Sequence, residues 1–383
     1  MPFEFATATE VVFGRGSFEG LAARVASLGR RALVVTGSDP SRTGVLERLR
    51  EAGVDATPFR ITAEPTTTVA SEGVGRARER NCDVVVGAGG GSVLDGAKAI
   101  AALLTNGGEP LDYLEVIGAG RKIEKPSAPL VAVPTTSGTG SEVTRNAVLA
   151  SQEHRVKVSL RSVLMLPRVA LLDPELTVSV PPEVTASTGL DALTQVLEPF
   201  VSSRANPMTD ALCRDGLARA ARSLRPAYEN GADRDAREDM ALVSLYGGMA
   251  LANAGLGAVH GFAGPLGGML GAPHGALCAR LLPGVITANV GALRERATDS
   301  PGLARYAEVA RILTGRPDAT PEDAAGWVGD LGEALSIPGL SAHGLTPGDL
   351  ETAVAKSRKA SSMRGNPIEL TDEELHAILE SAL

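Results

Sequence analysis

The first 180 residues alternate between short β-branched apolar runs and amphipathic stretches, the pattern of βαβ units whose parallel sheet is covered by helices. Candidate strands are Arg31–Thr36, Asp83–Gly87, Leu130–Val133 and Val169–Asp173, with helix-like segments at Ser17–Leu28, Arg42–Ala52, Thr67–Arg80 and Ser92–Leu104. After Leu176–Pro182 the β-branched runs almost vanish, and long Ala/Leu periodic segments punctuated by Gly and Pro replace them. Tandem prolines stop a strand and disfavour helix in the residue before them, so Pro181–Pro182 marks a boundary. The expected architecture is an α/β domain over 1–180 followed by an all-helical domain over 181–383.

Composition narrows the partners. Lys plus Arg number 37 against 45 Asp plus Glu, a net charge of −8, with no basic block, and aromatics make up 3% of the chain. Phosphate-backbone binding and base stacking are both disfavoured, which argues against a nucleic-acid partner. No stretch approaches the roughly 18 uncharged apolar residues of a membrane span. Cys82, Cys213 and Cys278 are far apart and in no CxxC arrangement, so neither a disulfide framework nor a thiolate zinc knot is indicated. The opening MPFEFATATEVVFG lacks a basic stretch followed by an apolar core. A cytoplasmic protein is expected.

Three features can carry chemistry. Gly87-Ala-Gly89-Gly90-Gly91-Ser92 lies between the apolar run Val84–Val86 and a helix-like segment. Glycines there let a ligand approach the backbone, and the helix N-terminus offers free N–H groups to a diphosphate; the alternative is a tight structural turn. Pro134-Thr-Thr-Ser-Gly-Thr-Gly-Ser-Glu142 follows the run LVAV, making Thr135, Thr136 and Thr139 candidates for phosphate or ribose contacts, or simply members of a solvated turn. Asp191 and Gln195 share one helix face at i, i+4, and His260 and His274 follow across Gly-rich sequence. Such a set could surround a cation, although isolated histidines more often pack or face water.

These residues lie in ordered motifs, GGGSVLDGAK (Gly89–Lys98), PTTSGTGSEVT (Pro134–Thr144), LPRVALLDPELT (Leu166–Thr177), GLDALTQVLE (Gly189–Glu198), GAVHGFAGPLGGMLGAPHG (Gly257–Gly275) and GNPIELTDEEL (Gly365–Leu375). Through them the chain resembles the iron-containing, group III alcohol dehydrogenases over essentially its full length. The resemblance implies the dehydroquinate synthase-like architecture: an N-terminal dinucleotide-binding α/β domain and an all-α C-terminal domain, with nicotinamide and metal in a cleft. It also implies a homodimer paired through N-terminal strands, for which Glu4–Phe13 is the matching segment. Gly90, Gly91, Ser92 and Asp95 match the pyrophosphate loop, and Thr135, Thr136, Thr139, Asn146 and Lys157 match further cofactor contacts.

Three departures modify the expectation. NAD-using relatives carry an Asp after the strand matching RALVVT, where this chain has Gly37; with Ser38 and Arg42 nearby, the missing carboxylate favours NADP(H) over NAD(H). The usual Asp-x3-His pair is Asp191-x3-Gln195. A Gln carbonyl binds a hard cation but is a weaker donor than imidazole to iron or zinc. Two arrangements follow: a metal bound through Asp191, Gln195, His260 and His274, or a metal-free pocket in which Gln195 hydrogen-bonds Asp191 or the substrate. Finally, Gly264 stands where relatives place a proton-moving His. The expected function is an NAD(P)-dependent alcohol dehydrogenase or aldehyde/ketone reductase acting on a small substrate, with the metal, or else His260, His274 and Gln195, polarising the carbonyl. The rivals are a metal-independent reductase of an acidic substrate, like the maleylacetate reductases, and a non-catalytic dinucleotide binder.

Overall fold

A computed structural model describes residues 2–151, 153–154 and 156–383. The chain forms two compact units, Ala6–Thr136 with Gly140–Val178, and Ser179–Leu383 with the short segments 2–5 and Ser137–Thr139. The first contains β1 (Glu10–Phe13), α1 (Leu21–Leu28), β2 (Arg31–Thr36), α2 (Val45–Glu51), β3 (Asp55–Arg60), α3 (Thr67–Glu79), β4 (Val84–Gly89), α4 (Gly91–Asn106), α5 (Pro110–Tyr113), β5 (Leu130–Pro134), β6 (Asn146–Ser151), β7 (Val156–Arg161) and β8 (Val169–Leu172). Six strands form one parallel sheet in the order β1-β8-β5-β4-β2-β3, while β6 and β7 make a separate antiparallel pair.

The central strands are apolar along their whole length because both faces are covered. Leu33, Val35 and Val85 enter one core, and Ala32, Val34, Val84 and Val86 enter the other, following the two-residue period of a strand. The edge strands lack that signature and escape a reading of apolar runs. β3 carries Pro58 opposite Val34, a residue tolerated where one side of the ladder is open. β1, at the other edge, pairs Glu10 with Val169 through Phe13 with Leu172. Of the segment 4–13 implied for dimer pairing, Glu10–Phe13 is therefore engaged with β8 of its own chain.

The winding reverses between β2 and β4, so their carboxyl ends flank the crevice where open α/β sheets hold ligands. Two glycines bring α4 onto β4 at this point. A Cβ at Gly87 would lie 2.9 Å from Ala97 Cβ, and one at Gly89 would lie 2.6 Å from Val93 Cγ2. The structural role of the glycine run is thus assigned to Gly87 and Gly89, which let helix and strand approach.

The second unit is helical: α6 (Pro182–Val201), α7 (Pro207–Glu229), α8 (Arg234–Ala254), α9 (Ala258–Leu270), α10 (His274–Arg296), α11 (Pro301–Thr314), α12 (Pro321–Ala334), α13 (Leu350–Ser357) and α14 (Asp372–Ala382). Its core gathers Leu190, Leu193, Phe200, Leu217, Phe262, Leu281 and Tyr306. α10 is long and apolar enough to cross a membrane by length and composition, but 67% of its apolar window is buried within the structure. It serves as a core helix on which α6, α9 and α12 pack.

Gly87→Ala is expected to destabilise the α/β unit by about 1–3 kcal/mol through overpacking against Ala97 and Leu94. Denaturant unfolding of the variant beside the parent protein measures it.

Candidate nucleotide loops and metal centre

In the α/β unit, Gly90 is the N-cap of α4, with extended backbone and no capping side chain. Its carbonyl accepts the Val93 and Leu94 N–H groups at 3.0 and 3.1 Å, so the start of the helix is regular and its dipole points into the crevice. Gly91 and Ser92 form the first turn. Thr135 is buried, its N–H bonded to the Gly89 carbonyl at 3.0 Å. Thr136 faces the loop, since a Cβ on Gly90 would lie 3.4 Å from Thr136 Oγ1. Gly37 and the exposed Ser38 follow β2, whose last residue Thr36 is level with Ala88 of β4. The structure thus brings Gly37, Gly90 and Thr136 to the same carboxyl ends of the sheet.

Beneath this loop lies a polar node that the sequence does not announce. Asp95 accepts a hydrogen bond from Ser141 Oγ and another from the Val148 N–H at 2.9 Å, and it pairs with Lys98 Nζ at 3.0 Å. Its carboxylate is therefore committed to holding β6 and the 141–143 turn against α4, rather than presented to a ligand. Lys98, 1% exposed, also donates to Thr144 Oγ1 at 2.8 Å and to the Asn146 carbonyl. Asn146 thus joins the node through its backbone, and Lys157 on β7 pairs with Glu64 at 3.3 Å. Burial holds the Lys98 amine below its ordinary value, against the pull of Asp95. Glu142 is 1% exposed, and its Oε1 has no hydrogen-bond partner. Burial pushes this carboxyl up to about 7, with Lys98 opposing the rise.

In the helical unit, α6 carries Asp191, Gln195 and Glu198 one turn apart along a buried face. α9 presents His260 from its first turn, and α10 begins at His274. Glu198 accepts the Val259 N–H and His260 Nδ1–H, both at 2.7 Å. That bond fixes the imidazole with Nε2 turned to Asp191, 3.3 Å from its Oδ1. His274 Nε2 lies 3.9 Å from the same oxygen. Asp191 is 2% exposed, and Oδ1 satisfies no hydrogen bond. Burial would raise its carboxyl, but His274 and His260 outweigh that and hold it below the ordinary value. His274 rises to about 9, driven first by Cys278 and then by Asp191 against the cost of burial. His260 also rises, burial being overcome by Cys278, Asp191 and Glu198. These groups could hold a cation, which would require both imidazoles in the neutral form with Nε2 free.

Asp191, His260 and His274 come together as the sequence suggested, and a fourth donor joins them. Cys278, one turn into α10, is fully buried with its donor atom in the same group, all of whose ligand atoms lie within 4.8 Å of one another. The sequence reading set the cysteines aside because they form no CxxC pair; the i, i+4 spacing from His274 was the available signal. Glu198, seven residues after Asp191, was equally missed. Of the two metal-free partners expected for Gln195, Asp191 or the substrate, Asp191 is not taken: the Gln195 Nε2 donates to the Gly138 carbonyl at 2.7 Å. That contact leaves the side-chain oxygen as the only Gln195 atom able to meet a cation. Thr139, beside Gly138, belongs to the segment grouped with the helical unit. At Gly264 a Cβ would meet nothing within 4 Å, so the helix face one turn beyond His260 is open.

Residues 8–174 match the family described as iron-containing alcohol dehydrogenase, and residues 185–383 match the Fe-containing alcohol dehydrogenase family, C-terminal. The chain is 35% identical over 379 residues to alcohol dehydrogenase 4 of Schizosaccharomyces pombe, covering 97% of this chain and 87% of the relative. It is 36% identical over 364 residues to 1,3-propanediol dehydrogenase of Klebsiella pneumoniae, covering 92% of each. A solved structure of a 1,3-propanediol oxidoreductase superimposes with a TM-score of 0.92 at 34% identity, covering 100% of both chains.

The raised carboxyl of Glu142 has a direct consequence for stability. Between 4.5 and about 7 the folded chain keeps a proton that the unfolded chain has released, so this group's contribution is complete below pH 4.5 and lost by about pH 7. Glu142→Gln, neutral at every pH, is expected to resemble the parent near pH 5 and to gain on the order of 3 kcal/mol relative to it at pH 8. Thermal unfolding of both proteins at the two pH values checks the sign.

Proposed function

The chain belongs to the iron-containing alcohol dehydrogenase family and is an NAD(P)-dependent oxidoreductase acting on alcohol CH–OH groups; on that premise we propose that it is a metal-dependent reductase of small aldehydes or ketones that prefers NADP(H). The observation that carries the metal is Asp191, a buried carboxylate whose Oδ1 has no hydrogen bond and is faced by two imidazole nitrogens. The imidazoles face this carboxylate without hydrogen-bonding Oδ1, and a divalent cation held among them would satisfy that oxygen directly. Asp191, His260 and His274 would hold that cation, and with Nε2 engaged on Gly138 the side-chain oxygen is the only Gln195 atom that could join them. When bound, it supplies Lewis-acid polarisation of the substrate oxygen. The nicotinamide supplies the hydride.

The chain's own groups bind and orient. Glu198 holds His260 in the tautomer that offers Nε2. Gln195 secures Gly138 and thereby the 137–139 segment. The side chain of His274 is 39% exposed against 8% for His260, so the cluster is open on the His274 side, where a substrate oxygen would approach it. Gly90, Gly91, Ser92, Thr135, Thr136 and Thr139 would contact the dinucleotide. Asp95 and Asn146 would act by holding those loops, and Lys157, paired with Glu64, would reach the cofactor.

The nucleotide preference rests on Gly37 and Ser38, which place no carboxylate immediately after β2, with Arg42 in the next turn. Asp39 is close in sequence, but its carboxylate is turned onto the Ser41 N–H at 3.0 Å. The proposal includes a homodimer, supported by β1 standing at a sheet edge, and a cytoplasmic setting, supported by three buried free cysteines.

Steady-state aldehyde reduction with NADPH and NADH, before and after chelation, tests the whole. Chelation should lower kcat by about 100-fold or more, with recovery on adding a divalent cation. Gly37→Asp should reduce kcat/KM for NADPH by about tenfold or more while sparing NADH. Undiminished turnover of the chelated protein would overturn the metal dependence, and higher kcat/KM with NADH in the parent would overturn the nucleotide preference.

A further inference from the structure

Cys278 is the one member of the buried cluster with no place in the reduction described above. It sits 0% exposed on α10, one helical turn after His274, with Sγ 3.8 Å from His260 Nε2 and 3.7 Å from His274 Nε2. Those two nitrogens are also the ones that face Asp191 Oδ1, at 3.3 and 3.9 Å. Four donors held tetrahedrally around one centre at zinc-like bond lengths of about 2.0–2.3 Å stand roughly 3.3–3.8 Å apart. The carboxylate–imidazole and thiol–imidazole spacings fall at those values or within about 0.1 Å of them, and all four donors lie within 4.8 Å of one another. A second, independent observation points the same way: Asp191 Oδ1 is buried in this cluster without a hydrogen bond.

We infer that Cys278 is a ligand, so that the cation is held by one carboxylate oxygen, two imidazole nitrogens and one thiolate sulfur, and that this donor set takes zinc in preference to iron(II). The inference rests on the metal-dependent reading above and goes beyond it by naming a sulfur ligand and the metal it selects. As the cation binds, the thiol gives its proton to solvent and the sulfur lone pair forms the bond to the metal. The resulting charges balance: Asp191 and Cys278 contribute one negative charge each against the dication, and the imidazoles bind neutral. Softness sets the preference, because a thiolate favours zinc, whereas two imidazoles and a carboxylate alone suit iron(II). Gln195, whose nitrogen serves Gly138, stands outside this set and retains its positioning role.

The test uses the full chain, stripped of metal and then titrated with cobalt(II) or zinc(II). One equivalent of cobalt(II) should give a near-ultraviolet sulfur-to-cobalt charge-transfer band together with intense tetrahedral visible bands. X-ray absorption of the zinc-loaded parent should show one sulfur at about 2.3 Å among nitrogen and oxygen neighbours. Cys278→Ser should lose the charge-transfer band and weaken zinc binding by more than the roughly 10–100-fold that follows loss of a supporting group, with a smaller loss for iron(II). Cobalt bound in the parent without the sulfur band, or a zinc shell free of sulfur, would overturn the ligand assignment while leaving the metal-dependent reading intact. Failure of the parent to bind cobalt, zinc or iron at all would overturn both. The absorption measurement on the parent decides the assignment even if Cys278→Ser does not fold.

Discussion

Burial of the Asp191 carboxylate is the constraint around which the helical unit is organised. A charge that is 2% exposed has lost its water and must be answered by the protein or by what the protein binds. α9 and α10 answer it from their first turns, each delivering an imidazole nitrogen to the same oxygen. Glu198 repeats the arrangement one layer out, capping the start of α9 through the Val259 N–H and orienting His260 through Nδ1. A third layer fixes α9 itself, since Asn366 accepts the Ala258 N–H and exchanges hydrogen bonds with Asn289, which also reaches Tyr306. Each layer restrains the next, which is how a cluster of short polar side chains keeps one geometry inside an apolar core.

The α/β unit solves a different problem by close approach. Gly87 and Gly89 bring α4 against β4, which places the uncapped start of the helix at the reversal in strand order. Lys98 and Asp95 then tie α4 to the segment after β5. The glycine and threonine loops are thereby held from behind by a buried ion pair, and backbone N–H groups and threonine hydroxyls stand at the carboxyl ends of the strands.

Much of this was legible before any coordinates. Central strands read correctly because burial on both faces makes them continuous apolar runs, and Arg31–Thr36 falls at the boundaries its sequence suggests. β3 was not, since an edge strand needs no such run and even admits Pro58, and β1 entered only through the resemblance, within Glu4–Phe13. In the site, Asp191, His260 and His274 stood out as uncommon residue types within ordered motifs. Cys278 and Glu198 did not, because their significance lies in what faces them across α6, α9 and α10. Asp95 illustrates the reverse: its motif suggests a ligand contact, and the fold commits both oxygens to internal donors.

Local chemistry is written along the chain, so the sequence alone determined the fold class, the family, the glycine loop after β4 and three of the residues of the candidate metal site. Distances between side chains on different helices are not written there, because they depend on how α6, α9 and α10 pack. Tertiary structure alone decided that a thiol joins the carboxylate and imidazoles, that Gln195 spends its amide on Gly138, and that Glu198 sets the tautomer of His260. The physical reason is that a donor becomes a ligand by its geometry and burial relative to other donors, and packing fixes both.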